Sequence, residues 1–345
     1  MTKKIILFSI ACFFILCGFV SYFLYSRIFS NNIKKTGELY IETKDSLLDL
    51  TKKIAPFLEN KNSFYWVATQ KKYSDPKAGR YLLEKGMSNN DLINLLRSGN
   101  QTPVKVSFNN QDTLEKLADR ISEQIESDPK QLLDAFKDLA FLKKNNLNEK
   151  SVLGIFIPNT YELYWNTSAE GFRNKMLGEF NQFWNKSRLL KAKKINLTKN
   201  EVITLASIVQ KETVKKSERP IVAGLYLNRL KKEWPLQADP TIIYSIKQKK
   251  GQNYVVKRVL LVDLEIDSPY NTYQRKGLPP SLISMPDITS IDAVLNAEKH
   301  NYYYMCANIE KLGFHSFAKT LSQHNRNANK SVSYTHLTLP TIYSV

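Results

Sequence analysis

LTKNEVITLASIVQKET, residues 197–213, has the apolar spacing of an amphipathic helix that is buried along one face. Thr198 and Glu201 have the spacing of a capping box, which predicts that the helix begins at Thr198. The apolar side chains that follow form one stripe, made of Val202, Leu205, Ala206, Ile208 and Val209. Glu212 continues that stripe, where the helical period predicts another apolar side chain.

The carboxylate of Glu212 has two interpretations from this helix alone. If it is held among apolar side chains it loses hydration, its pKa rises, and it can act as a general acid near neutral pH. If the helix has instead reached solvent, Glu212 is a surface residue that pairs with Lys215 or Lys216. Lys211 and Glu218 are expected to turn toward the other side of the helix, away from the stripe.

The beginning of the chain predicts a membrane-spanning helix. Residues 5–25 carry no charged side chain, and as a helix they are long enough to cross a hydrocarbon core of roughly 30 Å. A cleaved signal peptide would have a shorter apolar core and a cleavage site of small residues, which VSYFLYS does not supply.

The charges that flank this segment bear on its orientation. Lys3 and Lys4 favour a cytoplasmic end at residues 1–4, whereas basic residues on the other flank, Arg27, Lys34 and Lys35, weaken that preference. We expect a cytoplasmic start, with the remainder of the chain on the extracytoplasmic side.

The overall charge is strongly basic. Lys and Arg number 50 against 32 Asp and Glu, which gives a net charge of +18, and the basic residues are scattered in pairs rather than collected in one block. Such scatter suggests solubility beside an anionic surface or polymer. The sequence has no zinc spacing, RNA-binding aromatic signature or helix-turn-helix pattern, so we expect no nucleic-acid partner. Its three cysteines and four histidines form no paired motif, so we expect neither a metal nor a cofactor.

The pattern along the chain predicts an α+β fold with a small amino-proximal module and a larger distal one. LYIET alternates like a strand, SLLDLTKKI has helical spacing, and residues 77–108 predict a strand, a turn at Gly86, a helix between Ser88 and Gly99, and a closing strand. The predicted divisions are a tether at residues 26–36, a small subdomain at 37–108, a helical connection at 109–150 and a larger mixed α/β domain at 151–331.

The last residues differ in character from the chain before them. VSYTHLTLPT breaks the Asn- and Lys-rich composition, and one reading frame of a common transposase sequencing adapter would encode it. Our hypothesis is that residues 332–345 are a non-native tail, and they are excluded from the fold prediction.

The loops after the helix are rich in amide, hydroxyl and aromatic side chains. Such loops suit sugars, whose hydroxyls need donors and acceptors and whose faces stack on aromatic rings. Asp239, which precedes Pro240, is as compatible with starting a turn as with chemistry. The candidate substrate-binding residues are Asn228, Gln237, Asp239, Asn271, Tyr273 and His315.

Five segments in this order and spacing resemble the endolytic murein transglycosylase family, also called YceG-like, over nearly all of residues 37–330. They are LASIVQKET, SERPIVAGLYLNRL, PLQADPTIIYSI, YNTYQRKGLPPSLISMP and HSFAKTLSQHN. The resemblance implies a single-pass inner-membrane protein with a LysM-like subdomain and a catalytic domain facing the cell wall. It also implies that the essential glutamate, the second acid of an E-K-E triplet, is Glu212. The first position of that triplet is Gln210 here, and we expect Gln210 to project away from the apolar stripe.

The implied activity is a non-hydrolytic cut of the β-1,4 bond between N-acetylmuramic acid and N-acetylglucosamine, which leaves 1,6-anhydro ends. The implied partners are nascent peptidoglycan strands and peptidoglycan synthases, in a role that terminates strand elongation. Two alternatives stay open. A water-using muramidase would follow if Asp239 lies opposite Glu212, and a non-catalytic glycan-binding scaffold would follow if the LysM-like module is the functional part.

Overall fold

The computed structural model describes residues 2–338, with side chains described for residues 4–330. It divides into two compact units. The N-terminal unit contains the chain as far as Val106 together with Ile121–Asp128 and Thr160–Ser168, and the C-terminal unit contains Ser107–Arg120, Pro129–Asn159 and the chain from Ala169 onward. This division differs from the predicted ranges 37–108, 109–150 and 151–331, which stay predictions for independently folding domains.

The chain begins with a long apolar helix, α1 (Thr2–Phe29). Among the described residues one helix is long and apolar enough to cross a membrane, Lys4–Phe29, with a mean hydropathy of 2.5. Its side chains from residue 4 to residue 25 are exposed, so the protein itself does not cover its apolar surface. The mixed α and β content and this single N-terminal apolar helix confirm the predicted fold class.

The N-terminal unit is built on an antiparallel pair of strands, with Tyr40 opposite Arg80. Its elements are β1 (Gly37–Ile41), α2 (Leu47–Ile54), α3 (Lys61–Gln70), β2 (Gly79–Leu83), α4 (Asn89–Ser98) and the first part of β3 (Val104–Phe108). Strand β1 pairs with β2, whereas β3 pairs with β4 (Asn159–Leu163), so the two strands that flank α4 belong to different sheets. The LysM-like assignment therefore stays a prediction.

Local signals place α4 where the sequence predicts it. Ser88 and Asp91 form a capping box at its start, and Gly99 ends it with a left-handed φ of 72°, which glycine adopts without steric cost. Helix α4 packs with α2, α3 and both strands around an apolar core that includes Leu39, Phe64 and Leu92.

The segment predicted as a tether, residues 26–36, is packed against the N-terminal unit. Helix α1 extends through it as far as Phe29, and Asn32 and Ile33 are buried. The backbone of Asn32 donates to the carbonyl of Met87 at 2.9 Å. This stretch of polar composition therefore packs within the N-terminal unit, and its role as a tether stays a prediction.

Helices dominate the C-terminal unit. They are α5 (Leu114–Ser122), α6 (Pro129–Phe136), α7 (Leu139–Lys144), α8 (Ala169–Phe183), α9 (Lys186–Lys194), α10 (Lys199–Glu212), α11 (Arg219–Lys231), α12 (Asp239–Lys250), α13 (Ile288–Leu295) and α14 (Leu321–Thr338), with an antiparallel pair, β5 (Tyr304–Ala307) and β6 (His315–Ala318), before α14. Every residue of α10 from Val202 to Gln210 is buried, because α11, α12 and α13 pack around it. Of the hypothesised tail, residues 339–345 lie outside the described residues.

Candidate active site

Glu212 is the last residue of α10, at the point where the buried helix opens toward solvent. Thr198 and Glu201 form the predicted capping box at the other end, and Thr213, after Glu212, is extended. The Glu212 side chain is partly buried. Lys215, which the surface interpretation pairs with it, instead places its ammonium 5.3 Å from the ring centre of Phe314.

Tyr226 on α11 is the hydrogen-bond partner of Glu212. Its hydroxyl Oη donates to Glu212 Oε1 at 2.7 Å. Burial raises the pKa of Glu212 to about 7, and the charge of Asp239 also raises it, whereas the Tyr226 hydrogen bond and the charge of Arg229 lower it. A carboxyl group with this pKa holds a proton near neutral pH and can also release it, as a general acid and base must.

Asp239 and Tyr273 form a second polar pair, and both interact electrostatically with Glu212. The Tyr273 hydroxyl donates to Asp239 Oδ1 at 2.5 Å, and Asp239 is the exposed first residue of α12. Burial and the hydrogen bond to Asp239 raise the pKa of Tyr273, and the Glu212 charge contributes. The structure therefore brings three of the sequence-predicted residues, Glu212, Asp239 and Tyr273, into one electrostatic cluster.

Arg229 adds a positive charge to this cluster. Its guanidinium is buried and donates to the backbone oxygens of Tyr303 at 2.7 Å and Leu236 at 2.5 Å. Burial lowers its pKa. The sequence analysis did not identify Tyr226 and Arg229 as site residues. Their spacing of three on α11 puts both on one face of that helix. No pattern in the neighbouring sequence shows that this face contacts α10.

Two of the predicted sugar-binding amides are used inside the fold. Asn228 Nδ2 donates to the backbone oxygens of His300 at 2.8 Å and Tyr302 at 3.1 Å. Asn271 is fully buried, and its Oδ1 accepts from the backbone N–H of Tyr273 at 2.9 Å. These side chains hold the backbone around the cluster.

Gln237 and His315 differ in their surroundings. Gln237 is exposed, has a left-handed φ of 50°, and places Oε1 3.5 Å from Arg229 Nη1. His315 Nδ1 lies 2.8 Å from Oε2 of Glu218, whose side chain is only 3% exposed. Glu218, expected on the side away from the apolar stripe, is thus a buried partner of His315.

Gln210 lies on α10 away from the apolar stripe, but this side of the helix is buried as well. Its Nε2 donates to the Met285 oxygen at 3.1 Å, and its Oε1 accepts from the Asp287 N–H at 2.6 Å. The amide joins α10 to the segment before α13. An amide suits this position because it offers one donor and one acceptor together.

A family model and two curated relatives relate this chain to the same family. A family model described as the YceG-like family matches residues 39–330. A Bacillus subtilis protein named endolytic murein transglycosylase is 32% identical over 294 residues, covering 80% of this chain and 79% of that protein. A Streptococcus pneumoniae protein of the same name is 31% identical over 299 residues, covering 79% of this chain but 53% of that protein, so the matched region is about half its length.

A solved structure supports the same relationship. The crystal structure of a yceG-like protein from Listeria monocytogenes superposes with a TM-score of 0.56 at 28% sequence identity, covering 85% of this chain and 98% of that one. Among the described residues of the present chain, no group of three or more His, Cys, Asp or Glu side chains is placed to hold a metal ion.

Proposed function

This chain belongs to the YceG-like family, and from that premise we propose that it is a membrane-anchored endolytic murein transglycosylase with Glu212 as its catalytic residue. The observation that carries the proposal is the partly buried Glu212 carboxyl, bonded to Tyr226 at 2.7 Å, with a pKa of about 7. The name of the relatives supports peptidoglycan as the substrate.

The proposed reaction needs one carboxyl group in two protonation states. Protonated Glu212 donates to the glycosidic oxygen between N-acetylmuramic acid and N-acetylglucosamine as the bond from that oxygen to C1 breaks. The resulting carboxylate then accepts the proton of the muramoyl C6 hydroxyl while its oxygen forms a new bond to C1. The products are a 1,6-anhydro end and a free hydroxyl, without added water, and the nucleophile is already tethered to the substrate.

The neighbours of Glu212 fit both halves of this cycle. Desolvation and the Asp239 charge favour the protonated acid, whereas Tyr226 and Arg229 stabilise the carboxylate that forms after the first proton transfer. We propose that Gln237, Asp239 and Tyr273 contact the sugar, because they lie at the partly exposed side of the cluster. Asn228, Asn271 and His315 are proposed to position the surrounding backbone.

Helix α1 is the basis for the proposed location of this protein. We propose that it anchors the chain as a single-pass helix with the C-terminal unit on the extracytoplasmic side, where nascent glycan strands are found. Its length and apolar character support this, and Lys3 and Lys4 favour the orientation. Association with peptidoglycan synthases and termination of strand growth are extensions of the same proposal.

A water-using muramidase is the second candidate, because the Asp239 charge reaches Glu212 and supplies the second carboxylate that hydrolysis requires. The test is digestion of uncrosslinked glycan strands by the full-length chain in detergent micelles, with mass spectrometry of the ends. We expect 1,6-anhydro ends from the wild type and from Glu310→Gln, an exposed matched control, but no cleavage by Glu212→Gln.

Other outcomes of this digestion separate the candidates. Reducing ends would reject the transglycosylase in favour of the muramidase. If the wild type cut nothing and Glu212→Gln kept full cellular function, the chain would be a glycan-binding scaffold.

A further inference from the structure

Three aromatic side chains lie together at the surface of the C-terminal unit, and we call them the aromatic platform: Trp234, Tyr303 and Tyr304. The ring centre of Trp234 lies 5.3 Å from that of Tyr303 and 6.2 Å from that of Tyr304. Of the four tryptophans, all of which lie within the described residues, Trp234 is the exposed one, with 38% of its surface accessible. Because both tyrosines are also partly exposed, the rings form one aromatic surface.

The end of α11 fixes the position of Trp234. After the helix ends at Lys231, Glu233 has a left-handed φ of 53°, and its N–H donates to the Leu230 oxygen at 3.0 Å. The Trp234 N–H donates to the Arg229 oxygen at 2.9 Å. These two bonds form a Schellman motif, which sets the direction in which the chain leaves a helix. Backbone bonds therefore hold Trp234 beside the last turn of α11.

Arg229 joins the platform to the candidate active site. Its guanidinium lies 5.9 Å from the ring centre of Tyr304 and donates to the Tyr303 oxygen at 2.7 Å. The same guanidinium interacts electrostatically with Glu212. Arg229 follows Tyr226, the hydrogen-bond partner of Glu212, by three residues on α11, which is a rise of about 4.5 Å. The platform therefore continues the site along this helix.

The segment that follows Trp234 leads to Gln237, one of the proposed sugar contacts. Its middle is held by a β-bridge between Pro235 and Lys276, and its end is held by the Gln237 N–H, which donates to the Thr272 oxygen at 2.9 Å. A surface anchored at both ends loses little conformational freedom when a ligand binds. Trp234 and Gln237 are thus presented to solvent at a fixed separation.

We propose that the aromatic platform binds a sugar ring of the glycan strand next to the bond that Glu212 cleaves, with the apolar face of that ring against Trp234. The proposal rests on the proposed function, because it gives the same glycan a further contact. An enzyme that cuts inside a strand has to hold sugars beyond the cleaved bond. The C–H groups on the face of a sugar pack on an aromatic ring, while its hydroxyls stay free for polar partners such as Gln237.

The first test measures contact with Trp234 directly. The full-length Glu212→Gln chain in detergent micelles is titrated with acrylamide, with and without uncrosslinked glycan strands, and the quenching of tryptophan fluorescence is recorded. Because Trp234 is the exposed tryptophan, bound strands should lower the quenching constant to the value found when Trp234→Phe is added to this chain. The same strands should leave the quenching constant of that double variant unchanged.

The second test measures the contribution of the platform to cleavage. Trp234→Ala should raise KM for the strands at least about fivefold, with kcat within about twofold of wild type, because the lost contact holds the substrate before and during the reaction. Trp234→Phe keeps a ring and should restore most of this loss. The alkaline limb of the pH–rate profile should stay in place in both variants, since neither substitution removes a charge.

Tyr254→Ala is the matched control for the second test. Tyr254 is 43% exposed in the same unit, and the Lys250 ammonium lies 4.5 Å from its ring centre, much as the Lys232 ammonium lies 6.0 Å from that of Trp234. Its removal should leave KM unchanged. A rise in KM of equal size in Tyr254→Ala and Trp234→Ala would overturn the platform.

The remaining outcomes separate the platform from the proposed function. An unchanged KM in Trp234→Ala, or quenching that the strands do not alter, overturns the platform while cleavage by the wild type keeps the proposed function. A wild type that leaves the strands uncut overturns the proposed function, and the quenching then decides the platform separately. The quenching test leaves Trp234 in place, so it decides even if Trp234→Ala does not fold.

Discussion

The Tyr226 hydroxyl donates to Glu212 Oε1 at 2.7 Å across two consecutive helices, from a residue 14 positions later in the chain. The bond stabilises the carboxylate, so it lowers the pKa of Glu212 against the larger, opposite effect of burial. Tyr226→Phe should therefore raise that pKa and move the alkaline limb of the pH–rate profile to higher pH. We also expect the maximal rate to fall by about tenfold to a hundredfold, as for loss of a hydrogen bond to a charged group. An unmoved alkaline limb would contradict this role for Tyr226.

Asp239→Asn should move the alkaline limb of the pH–rate profile to lower pH. The charge of Asp239 raises the pKa of Glu212, so neutralising it lowers the pKa and makes the rate decline at lower pH. Asparagine still offers an oxygen to the Tyr273 hydroxyl, which limits the structural change. The measurement is the pH–rate profile with end-group analysis, and 1,6-anhydro ends should persist. A shift of the alkaline limb to higher pH would contradict the conclusion that the charge of Asp239 raises the pKa of Glu212.

Glu212→Gln should abolish cleavage and stabilise the fold in alkaline solution. We expect the rate of cleavage to fall by at least about a thousandfold, because the amide nitrogen of glutamine cannot donate a proton as the acid does.

The effect on stability follows from the raised pKa of Glu212. In the folded protein this pKa is about 7, above the reference value of 4.5, so wild-type stability falls as pH rises from about 4.5 to about 7. Calorimetry should give equal Tm values at about pH 4 and a variant Tm higher by roughly 2–4 °C above pH 7. A variant that is less stable at every pH would contradict the raised pKa.

Gln210→Ala should destabilise the C-terminal unit without moving the pKa of Glu212. It leaves the Asp287 N–H and the Met285 oxygen without their side-chain partner, which should lower the free energy of unfolding by about 1–3 kcal/mol. Urea titration measures this change. Lys211→Ala, on the exposed adjacent residue with an ion pair to Asp112, is the control and should cost less than about 1 kcal/mol. Equal effects of the two substitutions would reject the bridging role of Gln210.

His315→Ala separates a sugar contact from a structural one. It removes the Nδ1 partner of the buried Glu218 carboxylate, so we expect unfolding to become easier by about 1–3 kcal/mol and KM for glycan to stay unchanged. Lys319→Ala, on an exposed side chain, is the matched control for the same region. A rise in KM with unchanged stability would instead assign His315 to the glycan.

The sequence alone predicted the parts of this molecule that depend on neighbours along the chain. The capping box at Thr198 and the glycine that ends α4 at Gly99 are local signals, and both helices begin or end where these residues lie. The apolar stripe likewise predicted the buried face of α10. Glu212 became a candidate because it continues this stripe and because of the family resemblance, whereas Asp239 and Tyr273 became candidates because of the composition of their loops.

The same reasoning could not predict contacts between segments that are distant in the sequence. Helical spacing gives the direction of Gln210 but not the segment at Met285 that meets it, 75 residues later. Tyr226 and Arg229 became site residues only because α11 packs on α10. The polar composition of residues 26–36 predicted a tether, but it could not predict that Asn32 finds a buried amide partner in Asn89, 57 positions away.

The hydrogen bonds of Asn32, Ser63 and Asn89 join the end of α1 directly to α3 and α4. A transmembrane helix that is longer than the local hydrocarbon core responds by tilting. If α1 crosses the membrane as we propose, a change in its tilt would therefore act on α3 and α4 through these bonds, and bilayer thickness would bear on the orientation of the N-terminal unit.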